Sequence, residues 1–198
     1  MLASYFSKTK LEDGLDEAGR GCLAGPVVAA AVIFPKGYTH KGLNDSKKLS
    51  AKQRETLTLE IEREAIAFSV AEVSEKEIDE INILNASFKA MHLALDTLSI
   101  TPELLLIDGN RFKAYQKIPH ECIVKGDGKF LSIAAASILA KTYRDELMTR
   151  FAKDYPQYGW ERNMGYGTVI HRKAIEQFGY SPLHRVSFKL KSQQMKLF

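Results

Sequence analysis

Three acidic residues stand where predicted β-strands end, a place where carboxylates can do chemistry. Asp16 and Glu17 close the first predicted strand, and Asp108 follows the apolar residues 104–107. Two carboxylates about 4 Å apart repel each other by roughly 4 kcal/mol at an effective dielectric of about 20, so a cluster of them needs a compensating cation. Oxygen ligands without histidine or cysteine favour Mg²⁺ or Mn²⁺ over zinc, and a pair of such ions suits displacement at phosphorus. The residues therefore predict a divalent-metal site for phosphate chemistry, although each acid alone could also be an ordinary cap or surface residue.

The elements that must position these acids alternate between strands and helices. Apolar runs predict five strands, at residues 11–16, 27–34, 65–73, 104–107 and 121–124. Helices are predicted at residues 51–63, after residue 74 and at residues 130–154. This order predicts an α/β fold with a central mixed five-stranded sheet flanked by helices. Asp108 then lies at the carboxyl end of a strand that is buried on both faces.

Two serine patterns indicate where helices begin. Ser50 stands three residues before Gln53, and Ser74 stands three residues before Glu77, which is the spacing of a capping box. The helix after Ser74 carries an apolar stripe at alternating four- and three-residue steps, which consists of Leu84, Phe88, Met91, Leu95 and Leu98. Packing against the sheet explains this stripe without any further function.

The composition is that of an ordinary globular protein. Of 198 residues, 45% are hydrophobic and 26% are charged, and no linker-like segment divides them, so we expect one domain over residues 1–198. No apolar run is long enough to span a membrane, and the N-terminus does not resemble a secretory signal, so we expect a cytoplasmic protein without a membrane partner. Cys22 and Cys122 stand far apart, which excludes a zinc finger and argues against a disulfide framework.

The basic residues are compatible with a polyanionic partner. The formal net charge is only +4, but lysine and arginine cluster at residues 47–48, 125–129, 162 and 184–191. Residues 185–198 form a basic C-terminal tail. The same residues could equally cover solvated surface.

Residues 16–21 read Asp-Glu-Ala-Gly-Arg-Gly and are followed by Gly25-Pro26. This segment resembles the signature of the ribonuclease HII family. Further segments resemble the family in the same order along nearly the whole chain, at residues 44–49, 107–110, 125–127, 134–141, 144–145, 165–166, 184–185 and 187–188. The resemblance implies a ribonuclease-H-like fold with a C-terminal helical region.

Four acids match the catalytic, metal-binding set of that family, namely Asp16, Glu17, Asp108 and Asp127. The resemblance implies an enzyme that uses two divalent ions, Mn²⁺ or Mg²⁺, to hydrolyse the RNA strand of RNA–DNA hybrids. It also implies cutting on the 5′ side of ribonucleotides embedded in duplex DNA, which leaves a 5′-phosphate and a 3′-hydroxyl. Asp145 is interpreted as structural, because it lies several turns into a predicted helix beside basic residues.

Gly19, Arg20 and Gly21 offer a means of telling RNA from DNA, which differ locally by one 2′-hydroxyl. A glycine backbone can approach a sugar closely enough for main-chain groups to bond that hydroxyl, while Arg20 can reach a phosphate or a carboxylate. A site built around such a bond can reject the deoxy analogue by roughly 10⁴-fold. This agrees with the role that the resemblance implies for the segment.

Three further residues are predicted to bind the substrate. The resemblance implies that Tyr166, between Gly165 and Gly167, packs on the sugar next to the cut. Lys47 and Lys48 could hold phosphates as point charges. Without the resemblance, Tyr166 would be a half-buried amphipathic residue and the two lysines would belong to a solvated loop.

Three other functions compete with a ribonuclease. Residues 19–24 match the GxGxxG/A pattern of dinucleotide-binding enzymes, but that pattern should open a helix, whereas Gly25-Pro26 and a β-branched run follow. A nucleic-acid-binding module without catalysis has no use for converging acids, and metal-dependent cleavage of a duplex with one ribonucleotide separates it from an enzyme. Another nuclease or an integrase of the same broad fold is tested with an all-DNA substrate.

The end of the chain carries a separate motif. Residues Gln194 to Phe198 resemble the short peptide by which bacterial replication proteins dock on the sliding clamp. This predicts a clamp as a partner, with a frayed tail or a tail folded onto its own core as the alternative. Apart from these partners, we expect a monomer.

Overall fold

Five strands form one mixed sheet in the computed structural model, which describes residues 2–44 and 46–188. The strands are β1 (Glu12–Ala18), β2 (Val27–Ile33), β3 (Ala67–Val73), β4 (Leu104–Asp108) and β5 (His120–Ile123). Their order across the sheet is β3-β2-β1-β4-β5. The β1–β2 and β2–β3 pairs are antiparallel, whereas β1–β4 and β4–β5 are parallel. The predicted α/β class and the mixed five-stranded sheet are thus confirmed.

Helices cover both faces of this sheet. They are α1 (Ala51–Glu64), α2 (Glu75–Ile81), α3 (Ile83–Thr97), α4 (Leu131–Asp154), α5 (Trp160–Asn163) and α6 (Val169–Phe178). On one face α4 and α1 pack with Val28, Ala30 and Val32, and on the other α3 packs with Val27, Ala29 and Leu15. Strand β2 is therefore buried along its whole length. The short helices α5 and α6 form the C-terminal helical region.

Close contact between α4 and β1 requires a glycine. A Cβ atom on Gly14 would lie 2.3 Å from the backbone carbon of Ser132, at the first turn of α4. Four alanines of α4, at positions 134, 135, 136 and 140, are fully buried. Small side chains thus let the helix lie directly on the strand that carries Asp16 and Glu17.

The segment after Ser74 forms two helices, whereas the sequence pattern predicts one. The break falls at Asn82, whose φ of 65° lies outside the helical region. Its side chain accepts hydrogen bonds from the amides of Leu84 and Asn85, at 3.0 and 3.2 Å, and so caps the start of α3. An asparagine tolerates this φ, and its side chain accepts from amides that in a continuous helix would donate to carbonyls of the preceding turn. The apolar stripe itself lies on α3 and its C-cap, as the spacing predicts.

None of the helices in residues 2–44 and 46–188 combines the length and the apolar character that crossing a membrane requires.

Asp13 is an exception to the apolar composition of the core. Its side chain is fully buried in β1, and neither carboxylate oxygen makes a full hydrogen bond. Burial raises the pKa of Asp13 well above its usual value of 3.8, and the backbone amide of Val32 offsets this only in part. The ionised form of Asp13 therefore destabilises the fold.

Replacing Asp13 with alanine is expected to stabilise the protein by about 1–2 kcal/mol at pH 8, since a buried polar group without partners is removed. Because the pKa of Asp13 is raised in the folded state, the contribution of Asp13 to the stability of the wild type is fully present below pH 3.8 and is lost as the pH rises. The advantage of Asp13→Ala should therefore shrink between pH 8 and pH 5 in urea unfolding. Leu15→Ala, in the same strand, is the control and should lose about 2–5 kcal/mol. A less stable Asp13→Ala at pH 8 would contradict this account.

Candidate active site

The carboxylates of β1 and β4 meet at one edge of the sheet. Leu15 pairs with Ile107 across the parallel β1–β4 contact, so the residues that follow them, Asp16 and Asp108, lie at the same level. Glu17 and Asp108 both line a cavity of about 300 Å³. The parallel pairing of two strands thus brings together acids that are 92 residues apart in the sequence.

The carboxylates influence each other electrostatically. Burial, and then the charges of Glu17 and Asp108, raise the pKa of Asp16 well above its usual value of 3.8. Burial also raises the pKa of Glu17, while the positive charges of Arg20 and Lys47 act in the opposite direction. Within the site, Arg20 donates to the Glu17 carboxylate at 3.0 Å. The protein therefore compensates only part of the negative charge that it concentrates here.

Asp127 reaches the same edge through the loop after β5. It lies in a short 3₁₀ turn, Gly126–Gly128, and is buried. The amide of Gly126 donates to the Asp108 carboxylate at 2.7 Å. Because β4 and β5 are adjacent and parallel, this hydrogen bond fixes the turn of Asp127 beside the end of β4.

The carboxylate ligands at this edge fit hard divalent cations whose remaining coordination positions are filled by water and substrate. Among the described residues, no three His, Cys, Asp or Glu side chains are grouped closely enough to enclose one ion. Mg²⁺ seldom occupies an all-protein cage; it usually takes one or two carboxylates and completes its shell with water and substrate phosphate. Buried carboxylates that repel one another at an open cavity match that kind of site better than a closed structural one.

Two serines support Asp16 from behind. The Asp16 carboxylate is hydrogen-bonded to Ser137 of α4, which lowers its pKa slightly against the effect of burial. The hydroxyl of Ser137 lies 2.9 Å from that of Ser46, so the turn that carries Lys47 is linked to the same acid. Neither role is predicted from the sequence. A signal exists for Ser137, because it is the one polar residue among the apolar residues 133–140.

The two glycines of the Gly19-Arg20-Gly21 segment differ in their surroundings. Gly19 has a φ of +97°, and a Cβ atom there would lie 2.1 Å from Nε of Arg144. A Cβ atom on Gly21 would meet nothing within 4 Å, and its φ is not positive. The backbone therefore requires glycine at position 19 for internal reasons, whereas only Gly21 faces open space from which a ligand could approach.

Tyr166 lies next to this segment. It forms an isolated antiparallel bridge with Cys22, and the residue is 43% exposed. The amide of Leu23 donates to the Gly165 carbonyl at 2.8 Å, so the two loops are joined by their backbones. The ammonium of Lys141 lies 5.7 Å from the centre of the Tyr166 ring.

The two predicted phosphate-binding lysines lie on one turn, the 3₁₀ segment Ser46–Lys48, and both are exposed. The charge of Lys47 acts on Glu17 and therefore reaches the carboxylate site. The structure thus brings Lys47 to the acids and places Lys48 beside it on the surface.

A buried pair of histidines, which is not predicted from the sequence, supports the Tyr166 loop. His171 contacts the Tyr166 carbonyl through Nδ1 at 2.9 Å, and its Nε2 lies 3.0 Å from Nε2 of His184. Trp160 donates to the same Nε2 of His171 at 3.0 Å. Burial, and then the charge of His171, lower the pKa of His184 to about 4, and burial also lowers the pKa of His171.

His184 is therefore expected to stay neutral at pH 5, and the stability that it contributes to the fold is expected to be lost in acid. The unfolded chain binds the His184 proton near pH 6.5 and the folded chain near pH 4, so the contribution of His184 to stability is complete above pH 6.5 and is lost as the pH falls through 4. The loss from this residue should be about 3 kcal/mol. Ring-proton NMR between pH 7 and pH 4 measures the titration of His184 in the folded protein directly. Titration of His184 near pH 6.5 in the folded protein would refute the buried neutral pair.

Two interpretations from the sequence are confirmed. Asp145 accepts hydrogen bonds from Arg54 at 3.0 Å and Lys141 at 2.6 Å, which is the structural role that the sequence predicts. The Gly-rich segment 19–26 leads into strand β2 rather than into a helix, so it does not have the structure of a dinucleotide-binding turn.

One expectation about α3 needs correction. Packing explains Leu95, which is buried in the core. Leu84, Phe88 and Met91, however, line the cavity that Glu17 and Asp108 also line. The first half of the stripe therefore forms an apolar wall of the candidate site.

The clamp-like motif, Gln194 to Phe198, lies outside the described residues.

Known proteins resemble this chain along nearly its whole length. A family model described as Ribonuclease HII matches residues 13–191. A ribonuclease HII from Cytophaga hutchinsonii is 61% identical over 198 residues, covering 100% of this chain and 98% of the relative. One from Bacteroides thetaiotaomicron is 60% identical over 190 residues, covering 96% and 95% of the two chains.

Solved structures give the same result for the fold. The ribonuclease H2 of Pyrococcus horikoshii superposes with a TM-score of 0.77 at 25% identity, covering 93% of this chain and 97% of the other. The RNase HII of Archaeoglobus fulgidus, solved as a complex with PCNA, gives a TM-score of 0.71 at 25% identity, with 91% and 96% covered.

Proposed function

Because the chain belongs to the ribonuclease HII family, we propose that it hydrolyses the RNA strand of RNA–DNA hybrids and cuts duplex DNA on the 5′ side of embedded ribonucleotides. The observation that carries this proposal is the mutually repelling pair of buried Asp16 and half-buried Asp108, a few residues from Gly21, whose Cβ position is open space. One part of this site can hold cations for phosphate chemistry, and the other can accept a sugar.

The chemistry assigned to the acids follows from their charge. Asp16, Glu17, Asp108 and Asp127 would hold two divalent ions, Mn²⁺ or Mg²⁺, which when bound supply charge compensation for the attacking and leaving oxygens. Asp16 is held by the Glu17 amide at 2.7 Å, and Asp108 by the Gly126 amide at 2.7 Å. Each of these carboxylates thus has one oxygen fixed by the backbone. Hydrolysis in this arrangement leaves a 5′-phosphate and a 3′-hydroxyl.

The selectivity assigned to the site depends on the 19–21 segment. Among the described residues, the amides of Arg20 and Gly21 donate to no acceptor. A ribose 2′-hydroxyl can accept such a hydrogen bond, and a deoxyribose cannot. The exposed ring of Tyr166 would pack on the neighbouring sugar, and Lys47 with Lys48 would hold flanking phosphates.

A panel of three duplexes of one sequence tests the proposal. The first carries a single ribonucleotide in DNA, the second is an RNA–DNA hybrid and the third is all DNA, and each is incubated with Mn²⁺, with Mg²⁺ and with a chelator. We expect cleavage of the first two duplexes with a divalent ion and none of the third. Cleavage of the all-DNA duplex would favour a general nuclease, and binding without cleavage of any duplex would favour a non-catalytic module.

We also propose that Gln194 to Phe198 dock the enzyme on the sliding clamp. The motif in the sequence supports this, and so does the existence of a complex between PCNA and the related enzyme of Archaeoglobus fulgidus.

Removing residues 194–198 is expected to weaken binding to a purified bacterial sliding clamp at least tenfold, because the two apolar residues at its end would supply most of the contact. Calorimetry of the full chain and of a chain ending at Gln193 measures the difference, and Lys196→Ala is the matched control that keeps Leu197 and Phe198. Cleavage of a short duplex without clamp should not change. Equal clamp affinity of the full and shortened chains would end the proposal.

A further inference from the structure

Two arginines lie in the core beneath the 19–21 segment. Arg144 of α4 and Arg185 of the C-terminal region are both 0% exposed. Among the described residues, neither forms an ion pair with an acid. A buried charge without an ionic partner requires many hydrogen bonds to be stable. The acceptors of these hydrogen bonds indicate what the arginines do.

Among the described residues, every hydrogen bond of the Arg185 side chain goes to a backbone carbonyl of residues 20–26. Its Nε and Nη2 donate to Gly25 at 2.9 and 2.7 Å, and Nη2 also donates to Pro26 at 3.1 Å. Its Nη1 donates to Arg20 at 3.1 Å. The guanidinium therefore binds both ends of the loop that contains Gly21.

Arg144 extends the same network to the second loop. It donates to Pro26 at 3.0 Å and to Ala24 at 2.9 Å. Its remaining nitrogen donates to Met164 at 2.8 Å, two residues before Tyr166. Gly19 lies directly on this guanidinium, which is why a Cβ atom there would meet Nε. The two arginines thus hold the 19–26 loop and the Tyr166 loop against each other.

The hydrogen bond to the Arg20 carbonyl has a geometric consequence. In a trans peptide the carbonyl oxygen and the following N–H point in opposite directions. Because Arg185 draws the Arg20 carbonyl into the core, the N–H of Gly21 must point away from the core. That amide donates to no acceptor among the described residues, and Gly21 itself borders open space.

We propose that Arg144 and Arg185 are positioning residues that aim the Gly21 amide at the ribose 2′-hydroxyl and keep it in register with Tyr166. The inference rests on the proposed role of the 19–21 segment in reading the ribonucleotide. The planar fork of the guanidinium is essential to it, since one ammonium group cannot reach three separate carbonyls in fixed directions.

The test compares Arg185→Lys and Arg144→Lys with the wild type. Two quantities are measured: kcat/KM on a duplex with one ribonucleotide, and the inhibition constant of the all-DNA duplex of the same sequence. We expect kcat/KM to fall about 10- to 100-fold, the value of one hydrogen bond lost at a buried site, while the inhibition constant stays within about twofold because phosphate contacts remain. Ile61→Val, on the buried face of α1, is the control for a small loss of stability and should change neither quantity.

The outcomes separate the inference from the proposed function. If both quantities change together, or neither changes, in folded lysine variants, the arginines are not positioning residues. If neither variant folds, the pair is a requirement of the fold alone, and the inference is equally overturned. Gly21→Ala distinguishes a failure of the inference from a failure of the proposed function. Unchanged ribonucleotide selectivity in Gly21→Ala refutes the role of the 19–21 segment itself. Lost selectivity in Gly21→Ala, together with unchanged kcat/KM in the two lysine variants, refutes only the inference about the arginines.

Discussion

Asp16→Asn is expected to lower the rate of ribonucleotide cleavage at least about a thousandfold, and to raise the melting temperature of the metal-free protein. The loss corresponds to about 4 kcal/mol of transition-state stabilisation, which is reasonable for a ligand that would hold a divalent ion. Activity and stability should therefore change in opposite directions.

The gain in stability follows from the charges around Asp16. Burial and the nearby charges of Glu17 and Asp108 disfavour its ionised form. Asparagine has nearly the same shape and can still accept the hydrogen bond from the Glu17 amide, but it carries no charge. Removing one of three repelling carboxylates relieves the fold when no cation is present.

Single-turnover cleavage and thermal unfolding in a chelator, with and without added Mn²⁺, measure both effects. Wild type should gain stability when Mn²⁺ is added, and Asp16→Asn should gain less. Asp96→Asn serves as the control, because Asp96 accepts a hydrogen bond from Tyr115 at the far end of α3; its activity should equal that of the wild type. Near-normal cleavage by Asp16→Asn would refute the assignment of this acid.

The second large effect is expected at Gly21. Gly21→Ala should leave the free energy of unfolding within about 0.5 kcal/mol of the wild type, since surface substitutions without strain change little. The added methyl group meets no protein atom within 4 Å, but it would occupy the space through which a sugar must approach. Cleavage at a single ribonucleotide should fall about 100-fold or more.

Gly19→Ala is the matched comparison, and unlike Gly21→Ala it should lower the stability of the fold. Its Cβ atom would lie 2.1 Å from Arg144, and its φ of +97° disfavours alanine, so it should lose about 1–3 kcal/mol of stability. Urea unfolding and steady-state kinetics of both variants test the pair. Full activity in Gly21→Ala would show that the substrate does not approach this face.

The sequence is enough to predict the features that depend on local patterns. The apolar run before Asp108 and the glycine-rich segment after Glu17 predict two strand ends, and a shared sheet edge follows once the strands are parallel neighbours. The capping box at Ser50 and Gln53 is present as predicted. These features depend on residues that are close together in the sequence, so they can be predicted before the fold is known.

The features that the sequence does not predict depend on contacts between distant segments. Arg185 bonds to Gly25, 160 residues away, and Arg144 bonds to Ala24, 120 residues away. Arginine usually lies on the surface, so neither position suggests a buried donor before the fold is known. The same holds for the His171–His184 pair, whose members approach each other only because α6 and the following loop pack together.

Analysis of the ends produced from a duplex with one ribonucleotide tests the central claim most directly. Mass spectrometry of the products should find a 5′-phosphate on the ribonucleotide and a 3′-hydroxyl on the preceding deoxynucleotide, formed only with a divalent ion, because the carboxylate site is proposed to hydrolyse the phosphodiester on the 5′ side. A 2′,3′-cyclic phosphate on the ribonucleotide would contradict the account, since it would show that the 2′-hydroxyl is the attacking group rather than the feature that the Gly21 amide recognises.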